Sequence, residues 1–196
     1  MAQMKLRNTK RITASKLESS EHNCIFLIVS SASGYYTIAA MEPSSLYTLS
    51  SHEAIVDAFS RAVVGCDNHD AELFNSAWAG EDVSFTINGT DKKVLPNLTI
   101  IRTHVLDRVG PMDTTHSISN IRVVAKDSAD TAFLTATSMA QHCPPGRGKE
   151  PDGPKFMVAG EYSADVIKVD GIWKLKNCAL KVVWTQGDPS VMENRG

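Results

Sequence analysis

Four successive runs between residues 116 and 184 read as strands, and the short connections between them restrict how they can pair. "HSISNIRVVA" (116–125), "TAFLTATSMAQH" (131–142), "KFMVAGEYSADVIKV" (155–169) and "IWKLKNCALKVVW" (172–184) are strand-like in their apolar and β-branched patterning. Only Asp170–Gly171 separates the last two. A two-residue loop of this kind fits a type I′ turn, with positive φ at both positions, and so predicts an antiparallel hairpin. The connection 143–154 is dense in Pro and Gly, which predicts a long loop rather than an element. The four runs therefore predict an antiparallel meander.

Helical periodicity comes before the strands. Ser50 stands three residues ahead of Glu53, the capping-box spacing that satisfies free N–H groups at a helix start. Ile55, Phe59, Ala62, Val63 and Cys66 then recur at helical spacing and predict a helix over about 51–65 with one buried face. "CDNHD" breaks it, and Asp70 is placed to cap a short second helix with Leu73, Phe74, Ala77 and Trp78 on its apolar side. "VSFTI" (83–87) reads as a short strand, and Asn97 caps a third helix that runs to about Val109 before Gly110–Pro111. Helices followed by a meander predict the α+β class, a helix layer on a curved antiparallel sheet. That arrangement leaves room for a cavity. Along the second long run Ala132, Leu134, Ala136, Ser138, Ala140 and His142 share a face, which suits a pocket wall ending on an imidazole. The opposite face, with Phe133 and Met139, is equally compatible with an inside.

The chain's 196 residues, 42% hydrophobic with a net charge of −2, suit one soluble domain plus an extension. Near-neutral charge argues against a nucleic-acid partner. The four cysteines, Cys24, Cys66, Cys143 and Cys178, are irregularly spaced with no C-x-x-C pair, which predicts free thiols in a reducing, cytoplasmic setting. Residues 1–16 carry five basic side chains and no acid, but Glu18 and Glu21 separate them from the short apolar burst "CIFLIV", so a secretory leader is disfavoured. A mitochondrial address stays open. No run approaches the roughly 20 apolar residues of a membrane span. The expected organisation is an extension over 1–43, disordered or loosely packed, a domain over 44–190, and a tail over 191–196.

The chemistry is narrowed by what is missing. The six histidines form no H-x-x-x-H or H-E-x-x-H pair. His142 and Cys143, as strand neighbours, point to opposite faces, so no metal site is expected. There is no G-x-S-x-G nucleophile motif and no phosphate-cradling glycine loop. General acid–base work without a cofactor remains, carried by imidazoles and an orienting carboxylate. Asp67, in the break after the first helix, is the candidate carboxylate. Capping the next helix is its competing role, and Asp70 competes for both.

The order of these features resembles the SnoaL-like branch of the nuclear transport factor 2-like superfamily, and within it the scytalone dehydratase-like proteins. "AFSRAVVGCDNHDAELF", "TTHSIS", "ATSMAQHC" and the closing "VDGIWKL…LKVVW" carry the resemblance, which spans about 46–190. It implies a cone-shaped barrel, with a strongly curved sheet around a long helix enclosing an apolar pocket, in a homodimer or homotrimer. It implies Asp67, His116 and His142 as catalytic residues of a cofactor-free elimination. One imidazole takes a proton alpha to a carbonyl, while the Asp-oriented partner helps protonate the departing hydroxyl. The water-holding tyrosines of scytalone dehydratases fall on Cys66 and Thr86, and their substrate-binding asparagine falls near Tyr162. Trp184, in the closing hairpin, is expected at the substrate pocket. With the carbonyl-polarising residues changed, the resemblance implies a different cyclic ketone or a phenolic polyketide or terpenoid intermediate of secondary metabolism. Tyr162 would be a replacement donor there, or else a packed strand tyrosine. Dehydratase, isomerase and cyclase activities remain open, as does a non-catalytic module that binds a small molecule or another protein.

Overall fold

In the computed structural model the described residues are 49–193 apart from Asp127, together with the backbone of four short strands among the first 47. The chain divides into two units, Met1–Tyr47 and Thr48–Gly196. In the first, β1 (Gln3–Met4), β2 (Ile12–Ser15), β3 (Ile28–Ser31) and β4 (Gly34–Thr37) pair antiparallel in that order. Cys24 and most of the basic leader, with the targeting readings placed on them, lie outside the described residues.

The second unit begins where capping chemistry predicts. The Ser50 side chain accepts from the Glu53 amide, and Glu53 returns the bond to the Ser50 amide, at the start of α1 (Ser51–Asp67). Ile55, Ala58, Phe59, Ala62 and Cys66 form its buried face. A charge is buried with them. Arg61 Nε donates to Asp57 at 2.9 Å, and its other nitrogens reach the Trp173 carbonyl at 2.7 Å and Ser76 Oγ at 3.1 Å. A buried guanidinium is tolerated because its donors are satisfied, and here they join α1 to the chain after it and to the sheet. Asp70 caps α2 (Ala71–Ser76), accepting from the Leu73 amide at 3.0 Å.

The sheet is built from β5 (Ser84–Asn88), β6 (Lys92–Leu95), β7 (Asp113–Ala125), β8 (Thr131–Cys143), β9 (Phe156–Val169) and β10 (Ile172–Gly187). Their order is β6-β5-β10-β9-β8-β7. The predicted meander is present as β7 to β10. Asp170 and Gly171 have φ of 51° and 83°, the positive values the hairpin requires. Two features correct the expectation. The sheet is mixed, because β5 joins β10 in parallel, and it is open, with β6 and β7 as edges. The third helix is also less regular than predicted. An α turn, Leu98–Ile101, passes into a π turn, Arg102–Leu106, before a last turn, Asp107–Val109. Among the described residues no helix is long and apolar enough to cross a membrane.

The parity of β8 is resolved in favour of its small-residue face. Leu134, Ala136, Ser138, Ala140 and His142 are buried, whereas Phe133 and Met139 are exposed. The sheet therefore turns the face that ends in His142 toward the helices.

Candidate active site

Asp67 is the last residue of α1, which packs across β7 and β10. On β7 every second residue, Thr114, His116 and Ile118, is partly buried between exposed neighbours, so His116 faces the helix layer. The two meet in a two-point contact. Asp67 Oδ2 accepts the backbone N–H of His116 at 2.9 Å, and Asp67 Oδ1 lies 2.5 Å from His116 Nδ1. A carboxylate only accepts, so Nδ1 carries the proton donated to Oδ1, which leaves Nε2 as the basic nitrogen. His142, 4% exposed at the end of β8, shares a 2.8 Å hydrogen bond between its Nδ1 and Thr114 Oγ1. The two rings stand edge to face with centroids 5.4 Å apart. Pairing of β7 with β8 explains the arrangement, since Thr114 lies opposite His142 and His116 opposite Ala140.

Burial pushes the Asp67 carboxyl up, but bonds from the His116 ring and amide and the nearby imidazole charges outweigh it, so it lies below its ordinary value. A carboxyl with a depressed folded pKa contributes stability that is present above its unfolded value, 3.8, and is lost as pH falls through the folded one. Asp67→Asn should therefore flatten this part of the acid limb. Urea midpoints measured from pH 5 downward are expected to fall less steeply in the variant than in the parent protein. Parallel curves would show that the pair carries no such linkage.

Beside this pair lies a small apolar cavity of about 50 Å³, open on one side. Phe59, Ala62 and Cys66 of α1 form one side, Phe85, Tyr162 and Cys178 of the sheet another, and His116 supplies an imidazole. Trp78, after α2, and Val105, on the π turn, also belong to the wall. The Tyr162 ring packs edge-on to Phe59 at 5.1 Å and stacks with Phe85 at 6.3 Å. Burial, with smaller contributions from the Cys178, Cys66 and Asp67 charges, raises its phenol well above the usual range, so it is a neutral donor. Burial, and for Cys66 also the Asp67 charge, pushes the Cys66 and Cys178 thiols up to about 12. Neither is a thiolate nucleophile at neutral pH.

Of the residues expected at the site, Asp67, His116 and His142 come together, and Cys66 and Tyr162 line the cavity beside them. His142 is behind His116 rather than on the pocket wall, because its ring is turned to Thr114 on the neighbouring strand. Thr86 and Trp184 stand apart. Thr86 alternates with Phe85, so when Phe85 faces the cavity Thr86 faces the other way. Trp184 follows a register shift between Val182 and Trp184, which aligns it with Ala159 and, beyond that, exposed Met139. It lies on the outer face, 44% exposed. Sequence reasoning missed Thr114 as the partner of His142. Its signal was period-two parity, which places Thr114 and His116 on one face. Val105 carried no comparable signal, because a π turn has no distinctive residue pattern.

Comparison with known proteins bears on this arrangement. The sequence profile described as a SnoaL-like domain matches residues 47–179. The "Terrestric acid biosynthesis cluster protein E" of Penicillium crustosum is 33% identical over 154 residues, covering 78% of this chain and 96% of that protein. Among solved structures, a scytalone dehydratase-like protein of Novosphingobium aromaticivorans superposes with a TM-score of 0.56 at 21% identity, over 69% of this chain and 85% of its own. A type 2 hexachlorocyclohexane dehydrochlorinase (LinA) gives 0.58 at 20% identity, over 70% and 88%. At these identities the structures show a shared fold.

Proposed function

The chain belongs to the SnoaL-like domain family, and from that membership and its site we propose that it is a cofactor-free acid–base lyase or isomerase acting on a small cyclic ketone or phenolic intermediate of secondary metabolism. The observation that carries this reading is the 2.5 Å contact between Asp67 and His116, with that histidine on the wall of an apolar cavity. Supporting it, the sequence relative is named for a biosynthesis cluster, and the two structural relatives are named for eliminations.

The residues divide the work as follows. The Asp-oriented ring, expected to serve as the acid, is assigned the base's role here because it is the imidazole on the cavity wall: His116 Nε2 takes the proton alpha to the carbonyl, and Asp67 stabilises the imidazolium that forms. The electron pair of the broken C–H bond becomes an enolate, whose oxygen accepts from a neutral donor, Tyr162 being the phenol at the wall. As the enolate collapses, the β C–O bond breaks, and an imidazolium returns its proton to the departing hydroxide. Water leaves, the ring gains a C=C bond, and no electron acceptor is needed. His142, whose ring stands edge-on to His116, is the second imidazole of this reading and would share the proton. Returning the proton to a different carbon would give isomerisation instead.

The test uses 3-hydroxycyclohexanone in D2O. The protein is expected to speed both deuterium uptake alpha to the carbonyl and formation of 2-cyclohexenone. Tyr162→Phe should slow both by roughly 10-fold or more, as loss of a donor to a developing oxyanion does. Background rates for both processes in the parent protein would refute the reading.

A further inference from the structure

Trp78 is 4% exposed, and its indole Nε1 is buried with no hydrogen-bond partner among the described residues. Buried indole N–H groups ordinarily find an acceptor, and one left without a partner costs its full desolvation. This one belongs to a residue of the cavity wall. Its position is held firmly. The Ala79 amide donates to the Leu175 carbonyl at 2.9 Å and the Leu175 amide to the Ala77 carbonyl at 2.7 Å, so the backbone on both sides of Trp78 is tied to β10. The Phe74 ring lies against the indole at 6.0 Å, tilted by 47°. With its backbone tied to the sheet and its ring packed against Phe74, the indole is covered from solvent.

We propose that the Trp78 indole N–H is a ligand-binding donor that holds an oxygen acceptor of the small cyclic ligand in this cavity. The assignment rests on the cavity being the substrate site, and it adds a specificity element: an oxygenated ring is preferred over a hydrocarbon of the same shape. Apolar walls with a few placed polar groups discriminate in this way, because the ligand lacking the oxygen leaves the donor unpaired. The indole also complements Tyr162, which gives the wall two neutral donors and suits a ligand carrying two oxygens.

The test is an NMR titration of the indole N–H signals of Trp78, Trp173 and Trp184, using cyclohexanone and its near-isostere methylenecyclohexane. The Trp78 signal, assigned by its loss in Trp78→Phe, should move downfield with the ketone and not with the hydrocarbon. Trp78→Phe should weaken cyclohexanone binding by about 3- to 10-fold, the worth of one neutral hydrogen bond, and leave methylenecyclohexane binding unchanged. Its KM for 3-hydroxycyclohexanone should rise by a similar factor. A signal that ignores bound ketone, or answers both probes alike, overturns the assignment while leaving the acid–base reading intact. A signal already downfield in the free protein and unmoved by ligand does the same, since it marks an internal acceptor. Failure of both probes to bind overturns the cavity as the substrate site, and the assignment with it.

Discussion

His116→Ala is expected to lower the rate of deuterium uptake by 3-hydroxycyclohexanone by about 10²–10⁴-fold, with the far-ultraviolet circular dichroism unchanged. The ring makes its polar contact with one side chain, Asp67, and otherwise faces the cavity and His142. Removing it takes away the base without removing a core residue. Asp67→Asn should give a loss of similar order for a different reason. The amide can still meet the ring, but it no longer balances the charge that the imidazole acquires when it takes the proton. Because the two act as a unit, the double variant should be hardly slower than the worse single one. His142→Ala separates the roles further. A loss there would place the second imidazole in the proton path, while full activity would reduce the machinery to the Asp67–His116 pair. Full activity in His116→Ala would remove the acid–base reading altogether.

The sequence was informative about this site where local chemistry governs the structure. Ser50 and Glu53, Asp70 and Asn97 set helix starts through side-chain bonds that span three residues, and all three helices begin there. Asp170–Gly171 fixed the last hairpin for a similarly local reason. The alternation of β8 left its inner face undecided, because small residues stood on one side and larger apolar ones on the other. Burial chose the small side, since α1 must approach closely there. What local pattern could not show is register between distant strands. The approach of Asp67 to His116 spans 49 positions and depends on how α1 crosses β7. The parallel joining of β5 to β10 depends on a return across the sheet, and two register shifts in β10, at Leu175–Asn177 and at Val182–Trp184, decide which face each of its later residues takes. β6 escaped notice because "KKVL" is a four-residue edge strand with two exposed lysines, which guard an edge without any long apolar alternation.

Gly65→Ala tests how closely α1 must lie against α2 for the site to assemble. A Cβ at position 65 would stand 2.5 Å from the Phe74 amide nitrogen and 2.7 Å from its Cα, both backbone atoms that cannot swing aside. Two effects oppose each other. Alanine in a helix interior is favoured over glycine by about 1 kcal/mol. Forcing an extra methyl into close packing costs about 1–3 kcal/mol and at times more, and contacts this short belong at the upper end. The clash wins, so a net loss of about 2 kcal/mol is expected, equivalent to a fall in Tm of roughly 4–8 °C for a domain of this size. The loss should reach function as well. Relieving the clash separates α2 from the last turn of α1, the turn that ends on Asp67 two residues on and that holds its carboxylate against His116. Deuterium uptake should therefore drop even at temperatures where the variant is fully folded. Gly89→Ala is the control: its nearest neighbour is a Val182 methyl at 3.8 Å, ordinary contact, and its Tm should stay within about a degree of the parent. If Gly65→Ala matched the control in both Tm and activity, close approach of the two helices would not be what positions the carboxylate.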